Sequence, residues 1–329
     1  MSSIHLFLLV LFSTIIAQDY YGRCPEQSDL LSRTIEELDT FYITPDSTFM
    51  IHYDLTGSAA PDLQDIDPVN GVPDYIDAVG IFADSARHVL VDMMGYDSEP
   101  SDGTEGGDEA KYDIYIASYG PGSYGVCFSE GSGKSYLQIS NDYNGYTSNF
   151  GQTPLEIMQI SLSHEYFHAI QYGYQEYHGA GSGSDAYFYE MTSMWIEDII
   201  VPDGDDYLYW INDFFNNPQQ SWDETDGYSL ALFGHYLSTQ FENITSEKES
   251  TIMREIWENM SSANSPYEIL NGILQNSFNS SFQFAWLDFV SRNLFNDVYT
   301  DMDNDIFYYV DQTSELCTTP PVNSTFMNF

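Results

Sequence analysis

The sequence predicts an α+β protein whose N-terminal half mixes strands with helices and whose C-terminal half is mainly helical. Three observations predict it. Period-two alternation of apolar and polar residues is confined to segments before residue 141. A long helical pattern with its own N-terminal cap opens at Thr153. Beyond the Gly/Ser stretch "HGAGSGSD", each remaining apolar pattern repeats at three and four residues, the period of a helix face.

Taken in order, the chain opens with "MSSIHLFLLVLFSTIIAQ", an apolar run too short to span a bilayer and closed by the small residue Ala17. It reads as a secretory leader over residues 1–17, so an exported, extracellular protein is expected. In "FMIHYDL", Phe49, Ile51, Tyr53 and Leu55 alternate as in a half-buried strand. A turn at Asn70-Gly71 and Pro73 leads into a helix on which Ile76, Val79, Ala83, Ala86, Leu90 and Met93 share one face. After the acidic loop "YDSEPSDGTEGGDEA", "KYDIYIA" alternates again through Tyr112, Ile114 and Ile116. "SYLQIS" at 135–140 follows a Gly-rich, hairpin-like region as a further strand and a candidate free edge. Thr153, Pro154 and Glu156 then form a capping box with proline at the first helical position. Six more helices are expected downstream, at "AYFYEMTSMWIEDII", "DYLYWINDFF", "SLALFGHYLSTQF", "TIMREIWENM", "PYEILNGILQ" and "FQFAWLDFVSRNLF".

Charge is the unusual feature of the composition: 51 acidic residues against 8 basic give a formal net charge of -43. Phosphate backbones and anionic lipid surfaces are repelled by such a chain, so nucleic-acid and membrane-surface partners are set aside. No later run is long and apolar enough for membrane insertion. Three cysteines, Cys24, Cys127 and Cys317, allow one disulfide in three pairings and one thiol left over, and none has a CxxC spacing.

The motif that carries chemistry is "SHEYFHAIQ", residues 163–171. Positions four apart share a helix face, so His164 and His168 can aim ring nitrogens at one ion while Glu165 lies at the rim. This is the HExxH arrangement, in which two imidazoles bind zinc and the glutamate takes a proton from the attacking water. A catalytic zinc takes three protein ligands and keeps one position open. Glu190, 22 residues after His168 and early in a helix that can return across the first, is the preferred third ligand. Glu197, one heptad on, and Asp198 compete for that role, with support of the ligands as their other use.

These stretches resemble a known family. "HEYFHAIQ" followed by "YEMTSMW" is similar to the gluzincin metallopeptidases, which pair HExxH with a later E-G-x-A/S-x-W/Y helix; Met191 stands where glycine is common. More narrowly, "NGVPDYID", "YDIYIA", "HEYFHAIQYGY" and "MWIED" together resemble a group of exported, largely uncharacterised bacterial metallopeptidases, over residues of roughly 50 to 240. The resemblance implies a zincin-like fold and hydrolysis of peptide bonds by a zinc-activated water, with Glu165 as general base and a peptide or protein as substrate. It also bears on "DGYSLALFGHYL", which is similar to the Y-x-K-G-A helix start whose tyrosine donates to the oxyanion; the lysine is absent here. Tyr228 is the candidate donor, and His235, seven residues on, is weighed beside it with core packing as its main alternative.

The domain reading is a leader (1–17), a zincin-like subdomain with the HExxH helix (18–178), and a helical subdomain carrying the third ligand (179–329). A second metal, calcium, is considered at Asp65, Asp67, Asn70 and Asp74, hard oxygen ligands around a glycine turn, although the spacing is not that of an EF-hand. His52 and His88, with no acidic partner evident from spacing, are read as structural or surface residues. The rival to the enzyme is an exported acidic binding or adhesion protein that keeps the metal helix as a structural or vestigial element.

Overall fold

The computed structural model describes residues 37–293, apart from 102, 104–110, 120–123, 145–150, 179–184 and 218–219. The leader, Cys24, Cys317 and most of the acidic loop therefore lie outside the described residues.

Five strands form one mixed sheet in the order β1-β2-β3-β5-β4. β1 (Thr40–Ile43), β2 (Phe49–Tyr53), β3 (Tyr112–Ala117), β4 (Gly125–Gly131) and β5 (Lys134–Ser140) run in chain order. β2, β3 and β5 are parallel neighbours, with Ile51 opposite Ile114 and Ile114 opposite Leu137. β1 and β4 pair antiparallel at the two ends. The expected alternation holds on the helix side: Phe49, Ile51, Tyr112, Ile114, Leu137 and Ile139 all enter one apolar core. Leu55 does not; it lies beyond β2 and is exposed. On the opposite face Tyr115, Val126, Phe128 and Tyr136 form a smaller buried apolar group, so the central strands are buried on both sides.

"SYLQIS" is not the free edge. It lies in β5 and pairs with β3 on one side and β4 on the other. The edge next to the helix at 154 is β4, "GVCFSEG", because the tight turn after Gly131 folds this ribbon so that β5 joins the sheet first.

α1 (Asp74–Arg87) packs Ile76, Val79, Ala83 and Ala86 against the core and runs into one π-helical stretch, His88–Met93. That wide turn explains a difference from the sequence pattern. With the Met94 N–H bonded to the Val89 carbonyl five residues back, at 2.9 Å, the chain loses register with the 3.6 period. Met93 is rotated out and exposed, and Met94 takes its place in the core.

α2 (Pro154–His178) starts as its sequence requires: the Thr153 N–H donates to Glu156 Oε2 at 2.6 Å, and the Glu156 N–H donates back to Thr153 Oγ1 at 3.3 Å. α3 (Ala186–Ile200) returns across it. α4 (Tyr207–Asn216), α5 (Ala231–Phe241), α6 (Ile252–Asn259) and α7 (Pro266–Ser277) lie within about two residues of the expected segments, and α8 (Phe282–Arg292) follows; the end of its expected segment, Leu294 and Phe295, lies outside the described residues. A single apolar core runs through both halves. Among the described residues, no helix is long and apolar enough to cross a membrane.

Candidate metal centre

α2 passes through the middle of the molecule, and every residue from Ile160 to Tyr174 is buried. A helix buried on all sides cannot leave polar side chains without partners, so His164, Glu165 and His168, only 4%, 4% and 6% exposed, need specific neighbours. α3 and the sheet supply them.

Glu190 on α3 points its Oε2 at both imidazoles, 3.2 Å from His164 Nε2 and 3.5 Å from His168 Nε2. The two Nε2 atoms lie 3.0 Å apart. Among the described residues, these three form the one group of histidines, cysteines and carboxylates close enough to hold an ion together. Donors bound at about 2.0–2.1 Å in a tetrahedron are roughly 3.3 Å from one another. The three observed separations bracket that edge length, so the donor set fits a zinc-sized cation in size and in kind. The site also opens on one side: the Glu190 side chain is 23% exposed, against 5% and 7% for the rings.

Around the three donors lies a second layer. Glu197, two helical turns beyond Glu190, accepts from His164 Nδ1 at 2.6 Å, which places it behind a ligand ring and away from the convergence point. Gln171 Oε1 lies 2.7 Å from His168 Nδ1. Burial pushes the Glu197 carboxyl up to about 8 against the pull of the His164 ring. Burial also opposes charge on Glu190, but the two imidazoles outweigh it and hold that carboxyl well below its ordinary value. Asp206, at the head of α4, is raised to about 6 by burial, with His164 and a hydrogen bond from Trp210 working the other way.

Glu165 does not join the convergence point. Its Oε2 accepts from the backbone N–H of Cys127 in β4 at 2.8 Å. The Ser140 N–H donates to the Tyr124 carbonyl at 3.0 Å, so alternation along the antiparallel pair turns the amides of Gly125 and Cys127 away from β5, off the free edge. Glu165 thus sits between the candidate metal ligands and the edge of the sheet. Gly125 makes that possible: a Cβ there would stand 3.1 Å from Glu165 Cγ and 3.1 Å from the Gln138 carbonyl. Among the described residues the Cys127 thiol forms no disulfide; it is buried, and burial raises it, while the other two cysteines lie outside the described residues.

Tyr228 is brought to the site. It occupies a single 3₁₀ turn, Tyr228–Leu230, rather than the helix itself, and its ring lies nearly parallel to that of His164 with centroids 6.0 Å apart. Gly227 sets the approach. With φ +95° it pulls the chain so close to α3 that a Cβ would fall 2.1 Å from the Tyr187 carbonyl and 2.9 Å from Glu190 Cβ.

His235 lies elsewhere: it is fully buried, with Nδ1 at 3.0 Å from Glu247 and Nε2 at 3.6 Å from Asp198. Asp198 is accordingly a partner of His235 and not a competing ligand. Two other histidines have the acidic partners that spacing did not reveal, His52 with Asp113 at 2.8 Å across two strands, and His88 with Asp92 at 2.9 Å one turn on. In the loop considered for calcium, Asp65 accepts from the amides of Asn70 and Gly71, and Asp74 from those of Ile66 and Asp67. Sequence reasoning missed Gln171, although it stands three residues after His168 on the same helix face, and it missed Gly125 and Gly227, whose roles are set by distant elements.

Comparison with protein families, with characterised proteins and with solved structures finds no match for this chain.

Proposed function

We propose that the protein is a zinc-dependent metallopeptidase of gluzincin type, with a zincin-like arrangement of sheet edge and helix. The observation that carries the reading is the convergence of His164 Nε2, His168 Nε2 and Glu190 Oε2 at 3.0–3.5 Å. Three acceptor atoms this close, in a buried setting, are reconciled by a cation between them. The ion supplies Lewis acidity, polarising a carbonyl and acidifying water.

The remaining chemistry belongs to the chain. Glu165, on the edge side of the ligands, takes a proton from the attacking water and passes it to the leaving amine; hydroxide adds to the carbonyl carbon and the C–N bond breaks. Glu165 already accepts from the outward Cys127 amide, so an extended peptide would pair with the exposed end of β4 beyond it, Ser129–Gly131. Tyr228, beside His164, is the candidate donor to the oxygen that gains charge. The 23% exposure of Glu190 favours this reading over a closed structural ion.

The test is metal content and peptide-library cleavage by the purified chain, with Glu165→Gln alongside. One zinc per chain in both proteins and a loss of about 10²–10⁴-fold in rate in the variant are expected. Zinc bound with no cleavage by the wild type leaves the ion a structural role in a binding protein. A Glu165→Gln protein that keeps most of the activity sinks the mechanism.

A further inference from the structure

We infer that Gln171 is a positioning residue of the metal centre: its side-chain amide, oriented by α3, sets the His168 ring in the form protonated on Nδ1 and pins the histidine helix to the glutamate helix. The inference rests on the metal-centre reading above and states how this chain builds that centre.

The two ends of the Gln171 amide are told apart by their neighbours. Nε2 lies 3.1 Å from the Tyr189 carbonyl, which can only accept. It is also 3.1 Å from Thr192 Oγ1, whose own hydrogen is directed to the Phe188 carbonyl at 2.8 Å, and 3.1 Å from Ser193 Oγ. A flipped amide would set Oε1 against a carbonyl oxygen at a position with 0% exposure, where no water can relieve the repulsion. The amino end therefore faces α3, and the acceptor Oε1 faces His168 Nδ1 at 2.7 Å. A neutral imidazole that meets an acceptor at Nδ1 carries its proton there and leaves the lone pair on Nε2. That Nε2 is the atom at the convergence point, 3.5 Å from Glu190 Oε2. The Ser193 hydroxyl, 3.4 Å from the same Nδ1, is too distant to substitute.

The geometry does a second thing. Tyr189, Thr192 and Ser193 straddle Glu190 on α3, so the anchor of the His168 tautomer and the third ligand move as one unit. Glu197 performs the corresponding task for His164 with a carboxyl group; Gln171 performs it for His168 with a neutral amide.

The experiment is long-range ¹H–¹⁵N correlation on protein labelled at its 7 histidines, metal-free at about pH 8 and zinc-loaded, with His168→Gln to assign the signal. Wild-type His168 is expected in the Nδ1–H form in both states. Gln171→Glu keeps the acceptor at the His168 end but sets an oxygen against the Tyr189 carbonyl, so it preserves that form while lowering stability. Gln171→Met, similar in size but without either end of the amide, shifts His168 toward Nε2–H and weakens zinc binding by about 10–100-fold, read by competition with a chromogenic chelator. A wild-type His168 protonated on Nε2, or a folded Gln171→Met that binds zinc as tightly with the tautomer unchanged, overturns the inference. If Gln171→Met does not fold, the wild-type tautomer decides alone. A wild type that shows the Nδ1–H form and binds zinc but cleaves no peptide removes the peptidase reading and leaves this one standing; a wild type that binds no zinc overturns both.

Discussion

Glu190 and Glu197 on α3 meet the rings of His164 and His168, while Asp198, the next residue after Glu197, meets the ring of His235 together with Glu247. Both clusters combine imidazole with carboxylate on packed helices, yet their geometries are opposite. In the first, Nε2 of two rings and one carboxylate oxygen converge on a point with an opening toward solvent. In the second, the acids stand against opposite nitrogens of a single ring that has no exposure at all. Carboxylates on opposite sides of one ring brace it; acceptors that converge on one point form a group that could hold an ion. Residue type alone does not separate a candidate metal centre from a core brace. Direction does.

The comparison breaks most sharply at His235. His235→Ala leaves Glu247 and Asp198 facing a buried gap, and a loss of about 3–5 kcal/mol in folding stability is expected by denaturant melting, with zinc stoichiometry unchanged. Loss of zinc from that variant would mean that the two clusters are one. The reciprocal change, His168→Ala, weakens zinc binding by more than about a hundredfold, beyond the range that loss of a supporting partner reaches. It costs the metal-free protein less stability than His235→Ala, because the opening at Glu190 admits water. Equal destabilisation by the two variants would erase the distinction.

A pH titration of stability sharpens it further. Burial opposes ionisation of Glu247, but His235, Ser238 and Trp195 outweigh burial and hold the carboxyl below its ordinary 4.5. A carboxyl lowered by folding contributes stability above its unfolded value, and that contribution disappears as pH falls through the lower folded value. Wild type should therefore lose stability below about pH 4.5, and Glu247→Gln should flatten that limb relative to wild type. Parallel acid limbs in the two proteins would remove Glu247 from the account.

The smallest effect is expected at the Asp65–Asp74 loop. Its carboxylates already accept the loop's own amides, so about 2 mM calcium should change stability by less than about 1 kcal/mol. A larger shift would identify a calcium site with a submillimolar dissociation constant.

Local signals in the sequence were enough for a good deal of this. The alternation at Phe49, Ile51, Tyr112 and Ile114, the Thr153–Glu156 capping box, and the three- and four-residue spacings of the later helices specify elements whose causes lie within a few neighbouring residues. The pair His164 and His168 was legible for the same reason, since one helical turn guarantees that they share a face. Glu190 needed the further premise that α3 returns across α2.

The remaining features depend on elements far apart in the chain. Among the described residues the edge on that side of the sheet is β4 and not "SYLQIS", because an edge is defined by which strand finds no second partner. Met93 gave way to Met94 because a π-helical turn shifts the register, and no apolar period announces such a turn. The Cys127 amide behind Glu165, the Gly227 approach to Glu190 and the division of Glu197 and Asp198 between two histidines are contacts across 38, 37, 33 and 37 positions of sequence respectively. Helical and strand periodicity report which face of an element a residue occupies. The direction in which a buried carboxylate finally points is set by whichever donor the packing of other elements brings to it.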